Sequence, residues 1–318
     1  MITLYQMSWS HYCEKIRLAL NYLRVPWRTV SVSPLSMSEM QRYEFPKHLP
    51  TYTVPAIYDH ATDVFVMDST PILRYLASAY ASSPCLFPGN ESNRAAIDST
   101  LLDLDTTLGL FARRLGYTQA ILECPSHLTT LFLGERAFGL FNLPSVRRVA
   151  GLVLGMALMQ RFDMHKAESS GIYEALEEYL LPIAKRLAKN RYLVGDTFSA
   201  ADLSLAALLR PLTIVPFFAE HPQLQALFDW HRSVVASYGG EALSPYQLAI
   251  DQARAKRPPF RRWIRKAKTN IPYAVHGNHA RNDQRSIWTW GFATAPFHFM
   301  FGMRANKVRS AFASESVR

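Results

Sequence analysis

Cysteine is scarce in this chain: Cys13, Cys85 and Cys124 are an odd count with no paired spacing in 318 residues. That excludes a disulfide framework and points to a reducing compartment. Long apolar runs are missing as well. The longest, Val149 to Met159, has 11 residues, where a membrane-spanning helix needs about 20, so a core helix is expected there. No charged segment followed by an apolar stretch opens the chain, so a cytoplasmic protein without a secretory signal is expected. Metal-ligand spacing is equally poor. His276 and His279 stand three apart with no cysteine or carboxylate partner, and no metal site is assigned. Charge is sparse, 19% against 49% hydrophobic residues, which is a globular and not a disordered balance.

What charge there is lies at one end. Asp251 to Arg318 holds 14 Lys and Arg against 3 Asp and Glu. The net charge of +10 therefore belongs to this tail, and any affinity for acidic lipid or nucleic acid has to come from it.

Strand and helix signals alternate over the first 82 residues. Ile2 to Gln6 reads as a buried strand. Ser10 then precedes apolar residues at Ile16, Ala19, Leu20 and Leu23, one face of a helix that Pro26 stops. Trp27 to Val32 is a second strand, followed by a polar connection with one helical turn near Ser38 to Tyr43. Thr53 to Tyr58 and Asp63 to Met67 are strands, and Ser69 to Ala81 a helix. Pro55 cannot donate to a sheet ladder, so it belongs at the start of its strand after a bend, where a cis Val54–Pro55 bond fits. Ser83 to Ser92 is a Pro-, Gly- and Ser-rich linker. Beyond it strand signals almost vanish. Helices are expected at Arg94 to Leu115, Ser126 to Phe138, Ser145 to Phe162, Gly171 to Lys189, Ser199 to Leu209 and Pro222 to Ser237. Ser199 and Asp202 are spaced as a capping box, with Phe198 and Leu203 as its hydrophobic staple.

Four segments carry a resemblance. Leu4-Tyr5 with Ser10-His11-Tyr12-Cys13-Glu14-Lys15-Ile16-Arg17 resembles the first strand and helix of glutathione transferases. Val54-Pro55-Ala56-Ile57 resembles their cis-proline turn, and Asp68-Ser69 before Ile72-Leu73-Arg74-Tyr75-Leu76 resembles their glutamyl-binding helix start. Leu193 to Asp202 is similar to the capped core helix of their second domain. The resemblance covers about 245 residues in the family's order. It implies an α/β thioredoxin-like N-terminal domain plus an all-α C-terminal domain: residues 1–82 for glutathione, a linker at 83–92, helices at 93–250 and an extension at 251–318. It also implies a dimeric detoxification enzyme.

The resemblance assigns roles residue by residue. Glutathione, as co-substrate, must present a thiolate, yet a thiol with pKa near 8.5 is only a few per cent ionised at neutral pH. A hydroxyl and a helix N-terminus aimed at the sulfur favour the anion. Chemistry alone makes Ser10 an N-cap; the serine-type pattern makes it the activating hydroxyl, with Tyr5 as the rival. Val54, freed by the bend at Pro55, would pair with the cysteinyl unit. Ser69 would bind the glutamyl carboxylate, and Asp68 its ammonium. Thr53 stands where the family commonly has Lys or Gln for the glycine carboxylate, for which Lys47 and His48 are substitutes. His11 and Tyr12, at the surface, would line the entrance. Phe111, Arg114 and Tyr117 are candidates for the pocket of a hydrophobic electrophile. Ser10-x-x-Cys13 has redox spacing, but its first position is serine, so Cys13 is expected to pack inside the helix.

Three functions are open at this point: transferase, a binding protein that keeps the fold without turnover, or a thiol oxidoreductase using Cys13. The tail lies outside the family's common core. Arg254 to Lys268 interleaves basic residues with Phe260, Trp263 and Ile264, and Ile287 to Met303 adds further aromatics. It either packs back on the helices or meets an anionic membrane surface. Nucleic acid is not expected, because no binding module is recognisable.

Overall fold

The computed structural model describes residues 1–32, 53–81, 84–133, 143–161, 171–240 and 247–255. The turn expected near Ser38, Lys47 and His48, the tail beyond Ala255, and His276 and His279 lie outside them.

Four strands form one sheet: β1 (Ile2–Gln6), β2 (Trp27–Ser31), β3 (Ala56–Asp59) and β4 (Val64–Met67), in the order β2-β1-β3-β4. β1 and β2 are parallel, as the intervening helix α1 (His11–Tyr22) requires, and the other pairings are antiparallel. The Val54–Pro55 bond is cis and β3 opens at Ala56, so the proline precedes the strand it interrupted in the sequence. Helix α2 (Ser69–Ala79) closes this part. It is a thioredoxin-like unit followed by helices.

Those helices are α3 (Glu91–Asp103), α4 (Gly109–Glu123), α5 (Pro125–Leu133), α6 (Pro144–Arg161), α7 (Ile172–Lys189), α8 (Ala200–Leu209), α9 (Pro216–Ala219), α10 (Gln225–Ser237) and α11 (Gln247–Ala255). The run expected as one helix from Arg94 is α3 and α4, joined by a wide π-turn at Leu104–Leu108. α9 and α11 carry no strong sequence signal. α11 is held from the other side: Arg254 donates to both carboxylate oxygens of buried Glu123, at 3.0 Å each, and to Ile214 O at 3.1 Å. The first residues of the basic tail are thus packed against the helical region.

α8 is the apolar centre of the helical part, and its start is built as the capping box requires. Ser199 Oγ accepts from the Ala201 N–H, and the buried Asp202 carboxylate accepts from Leu193 N at 2.7 Å and Ser199 N at 2.9 Å.

The π-turn docks the two parts on each other. The Gly109 N–H reaches back five residues to Leu104 O. The Asp105 carbonyl, its partner in a regular α-helix, accepts instead from Tyr12 Oη at 3.1 Å. Gly109 O accepts from His11 Nε2 at 3.0 Å. A Cβ at position 109 would sit 2.3 Å from Tyr12 Oη, so only glycine permits this approach. His11 is therefore buried, 1% exposed, and not at the surface as expected. The reason is tertiary, because the face of α1 that carries it is covered by α4.

Two predictions follow from this packing. Asp202→Ala leaves buried N–H donors unpaired, at about 1–3 kcal/mol for each. The variant is expected to lose about 3 kcal/mol in urea melts and to keep its site; an unchanged midpoint would contradict the bonds described. The second concerns acid. Burial foremost, with Arg113 next, holds His11 down to about 3, and burial holds His231 to about 4. A base with a depressed folded pKa resists a proton that the unfolded chain accepts. Stability is thus full above about pH 6.5 and falls as pH drops toward those values. At pH 5 His11 alone costs about 2 kcal/mol. Between pH 7 and 5, His11→Gln should lose less stability than the wild type; equal losses would show that folded His11 takes up the proton.

Candidate functional site

Three elements bring their ends to one edge of the sheet. In the register of the central strands, Tyr5 faces Ala56 and Ala56 faces Met67. The exit of β1, the entry of β3 and the exit of β4 therefore lie side by side. The first leads through Met7–Ser10 into α1, the second follows Val54–Pro55, and the third leads through Asp68 into α2. A backbone bond ties the last two, Asp68 N–H to Pro55 O at 3.0 Å. Val54, Pro55, Asp68 and Ser69 are thus brought together, with the start of α1 along the same edge.

Ser10 is the N-cap of α1, half-buried, its Oγ accepting the Cys13 N–H at 3.4 Å. A cap uses the hydroxyl oxygen as acceptor and leaves its hydrogen to donate, so capping and sulfur binding are compatible duties. Its own N–H closes the turn on Met7 O at 3.0 Å. Tyr5 is 2% exposed and belongs to a small cluster with Val32 and Ala56, separate from the main core that Leu4 and Ile16 enter. Cys13 is fully buried. Burial pushes its thiol up, against the pull of the Ser10 hydroxyl.

Asp68 holds an unusual backbone for a non-glycine residue, φ 72°, and its exposed carboxylate accepts from Ser69 N at 2.6 Å. Ser69 itself is buried. Beside it, Thr70 Oγ1 donates to Asp105 Oδ2 at 2.6 Å and accepts from Lys15 Nζ at 3.0 Å. Lys15 Nζ also donates to both Asp105 oxygens at 2.9 Å. The Lys15 side chain is wholly buried, and burial lowers its pKa against the pull of Asp105. Thr53, exposed, precedes the turn.

Of the pocket candidates, Tyr12 is half-buried, its hydroxyl pushed up to about 12 by burial foremost and then by Asp105. Tyr117 is buried, donates to Trp9 O at 3.4 Å and packs its ring edge-on against Trp9. His11, Tyr12 and Tyr117 therefore gather at the Trp9–Ser10 turn. Phe111 is half-buried on the main core and Arg114 half-buried on the same helix. Sequence reasoning missed Lys15, Asp105, Glu14 and Arg210. Each is a charged residue within or just after a helical pattern, where charge ordinarily marks a solvated face, and each has a partner far along the chain. Among the described residues no cluster of His, Cys, Asp and Glu could hold a metal ion, and no helix is long and apolar enough to cross a membrane.

Comparison with known proteins identifies the family. The family model for the glutathione S-transferase N-terminal domain matches residues 4–84, and that for the C-terminal domain residues 156–237. The chain is 25% identical over 233 residues to glutathione S-transferase 1 of Manduca sexta, covering 72% of this chain and 87% of that protein. Similar solved structures include a glutathione S-transferase from Rhodospirillum rubrum F11, at 19% identity and a TM-score of 0.49, over 77% of this chain and 91% of that one. Another is a glutathione transferase from Phanerochaete chrysosporium, at 17% identity and a TM-score of 0.49, over 80% and 96%. The two family models follow each other in order and together match just over half the chain. The first spans the sheet edge where the cis-proline turn meets the start of α2. By the two family models the chain belongs to the glutathione S-transferase family.

Proposed function

We propose that the protein transfers the glutathione thiolate to a hydrophobic electrophile, with Ser10 as the catalytic residue. The observation that carries this is the bond from Asp68 N–H to Pro55 O. It ties the Val54–Pro55 turn to the start of α2 at Asp68–Ser69, on the sheet edge where the capped start of α1 also emerges, and this supports the reading. Val54 pairs with the cysteinyl unit, the α2 start takes the glutamyl carboxylate, and Asp68 exchanges the Ser69 N–H for the ammonium. The Ser10 hydroxyl and the α1 N-terminus then favour the sulfur anion. Lowering a thiol pKa by about two units takes about 2.7 kcal/mol, within reach of one charge-assisted hydrogen bond plus a helix terminus.

Tyr5 is the weaker candidate because its side chain sits in a packing cluster. A redox role for Cys13 is disfavoured by full burial and a raised thiol pKa, since the thiolate is the reactive form. The electrophile enters beside Tyr12, with Tyr117 buried behind it against Trp9. Pairing of two copies is a further part of this reading and rests on the family. For the basic tail, packing back on the helices is the favoured reading, and contact with an anionic surface, resting on the charge of residues 251–318, is its alternative.

Retention on immobilised glutathione followed by an electrophile panel tests the reading; retention without turnover would make the protein a binder. Ser10→Ala is expected to lower turnover far more than glutathione affinity, and unchanged turnover would remove Ser10 from the chemistry. Ser69→Ala should weaken glutathione binding by about 1–3 kcal/mol. An unaltered dissociation constant in calorimetry would take Ser69 out of the site.

A further inference from the structure

Under the turn that presents Ser10 lies a buried charged cluster with no part in the reading above. One carboxylate oxygen of Glu14, fully buried on α1, accepts from Arg17 Nε at 2.8 Å, from Arg17 Nη2, and from Arg210 Nη1 at 2.6 Å. Arg210 comes from the 3₁₀ turn that follows α8, so this carboxylate joins α1 to the helical part. Arg17 turns the remainder of its fork on the segment before α1. Its Nη1 donates to Gln6 Oε1 at 2.6 Å, at the end of β1, and its Nη2 to Ser8 O at 3.1 Å. Ser8 is an inner residue of the turn that Ser10 N–H closes on Met7 O. One guanidinium therefore spans from the body of α1 to both the entry and the interior of the turn that delivers the Ser10 hydroxyl.

We infer that Arg17 is the positioning residue for Ser10, bracing the Met7–Ser10 turn through Ser8 O and Gln6 while Glu14 and Arg210 hold its fork in orientation. The inference rests on the reading of Ser10 as donor to the thiolate. Arg17 touches neither sulfur nor electrophile and acts through the turn. A planar guanidinium offers five donors in fixed directions, and the cluster uses three of its nitrogens at once. An ammonium is a point charge that cannot replace that geometry. A donor misplaced by about 1 Å loses much of its effect on a reacting group. At the neighbouring Cys13 the thiol is raised chiefly by burial, and the Ser10 hydroxyl and Arg17 are both among the groups that pull it down. Arg17 and Ser10 thus act on the same few ångströms of the helix start.

The test uses the full chain with Arg17→Lys, Gln6→Met and Ser10→Ala. The thiolate absorbance of bound glutathione is titrated against pH, and dissociation constants are measured by calorimetry. Arg17→Lys should raise the bound thiol pKa by about one unit, a tenfold shift in the thiol ionisation constant, with the dissociation constant within about threefold of wild type. Gln6→Met removes one anchor and no charge, so it should shift the pKa in the same direction by less, and it serves if the lysine variant does not fold. A wild-type thiol pKa in both, beside a raised one in Ser10→Ala, overturns the role of Arg17 and leaves that of Ser10. A tenfold or greater loss of affinity that accompanies every pKa change also overturns it, as general damage to the fold. An unchanged pKa in Ser10→Ala removes the premise and the inference with it.

Discussion

Helix α1 is covered on both flanks, by the sheet on one side and the helical region on the other, and the rest of the molecule answers to that constraint. Ten of its twelve residues are buried, and they include Glu14, Lys15 and Arg17. Charges taken out of water need partners, because the desolvation cost is several kcal/mol per ion. α1 meets it with partners from the far side of the interface: Asp105 for Lys15 and Arg210 for Glu14. Such pairs add little net stability compared with apolar packing, but losing one partner is costly, about 3–5 kcal/mol. Their effect here is to set the angle and register at which the helical part meets the start of α1.

The site inherits its geometry from that docking. From the π-turn the Asp105 carboxylate bonds Lys15 and Thr70, while its carbonyl, released by the wider turn, accepts from Tyr12. The same contact buries His11 against Gly109 and brings Tyr117 beneath Trp9. The glutamyl end and the thiol end of the proposed site are thus each backed by an ion pair that crosses between the two parts. A helical region that swung away would leave Lys15 and Glu14 without their partners, so the pocket and the fold share one set of interactions.

Some of this was written locally and could be read from the chain. β1, the helix starting after Ser10, the cap at Ser199 with Asp202, and the bend at Pro55 all depend on residues within a few positions of one another. Periodicity, a capping hydroxyl and a missing N–H act over that range. The pairing of Val54–Pro55 with Asp68–Ser69 was legible through resemblance, since no local rule joins segments a dozen residues apart. The placement of Phe111 and Arg114 was weaker, because a helical stripe does not say which of its faces lines a cleft.

The sequence by itself determined the order of the strands and of the longer helices, the cap that makes Ser10 the first residue before α1, and the family to which these segments belong. Only the tertiary structure decided that His11 is buried, that Lys15 and Arg17 point inward and not to solvent, and that a π-turn interrupts the helix after Asp103. The reason is distance along the chain. Lys15 meets Asp105 across 90 positions and Glu14 meets Arg210 across 196. A charged residue on a helix reads as solvated until the opposite charge that compensates it is brought alongside by the fold.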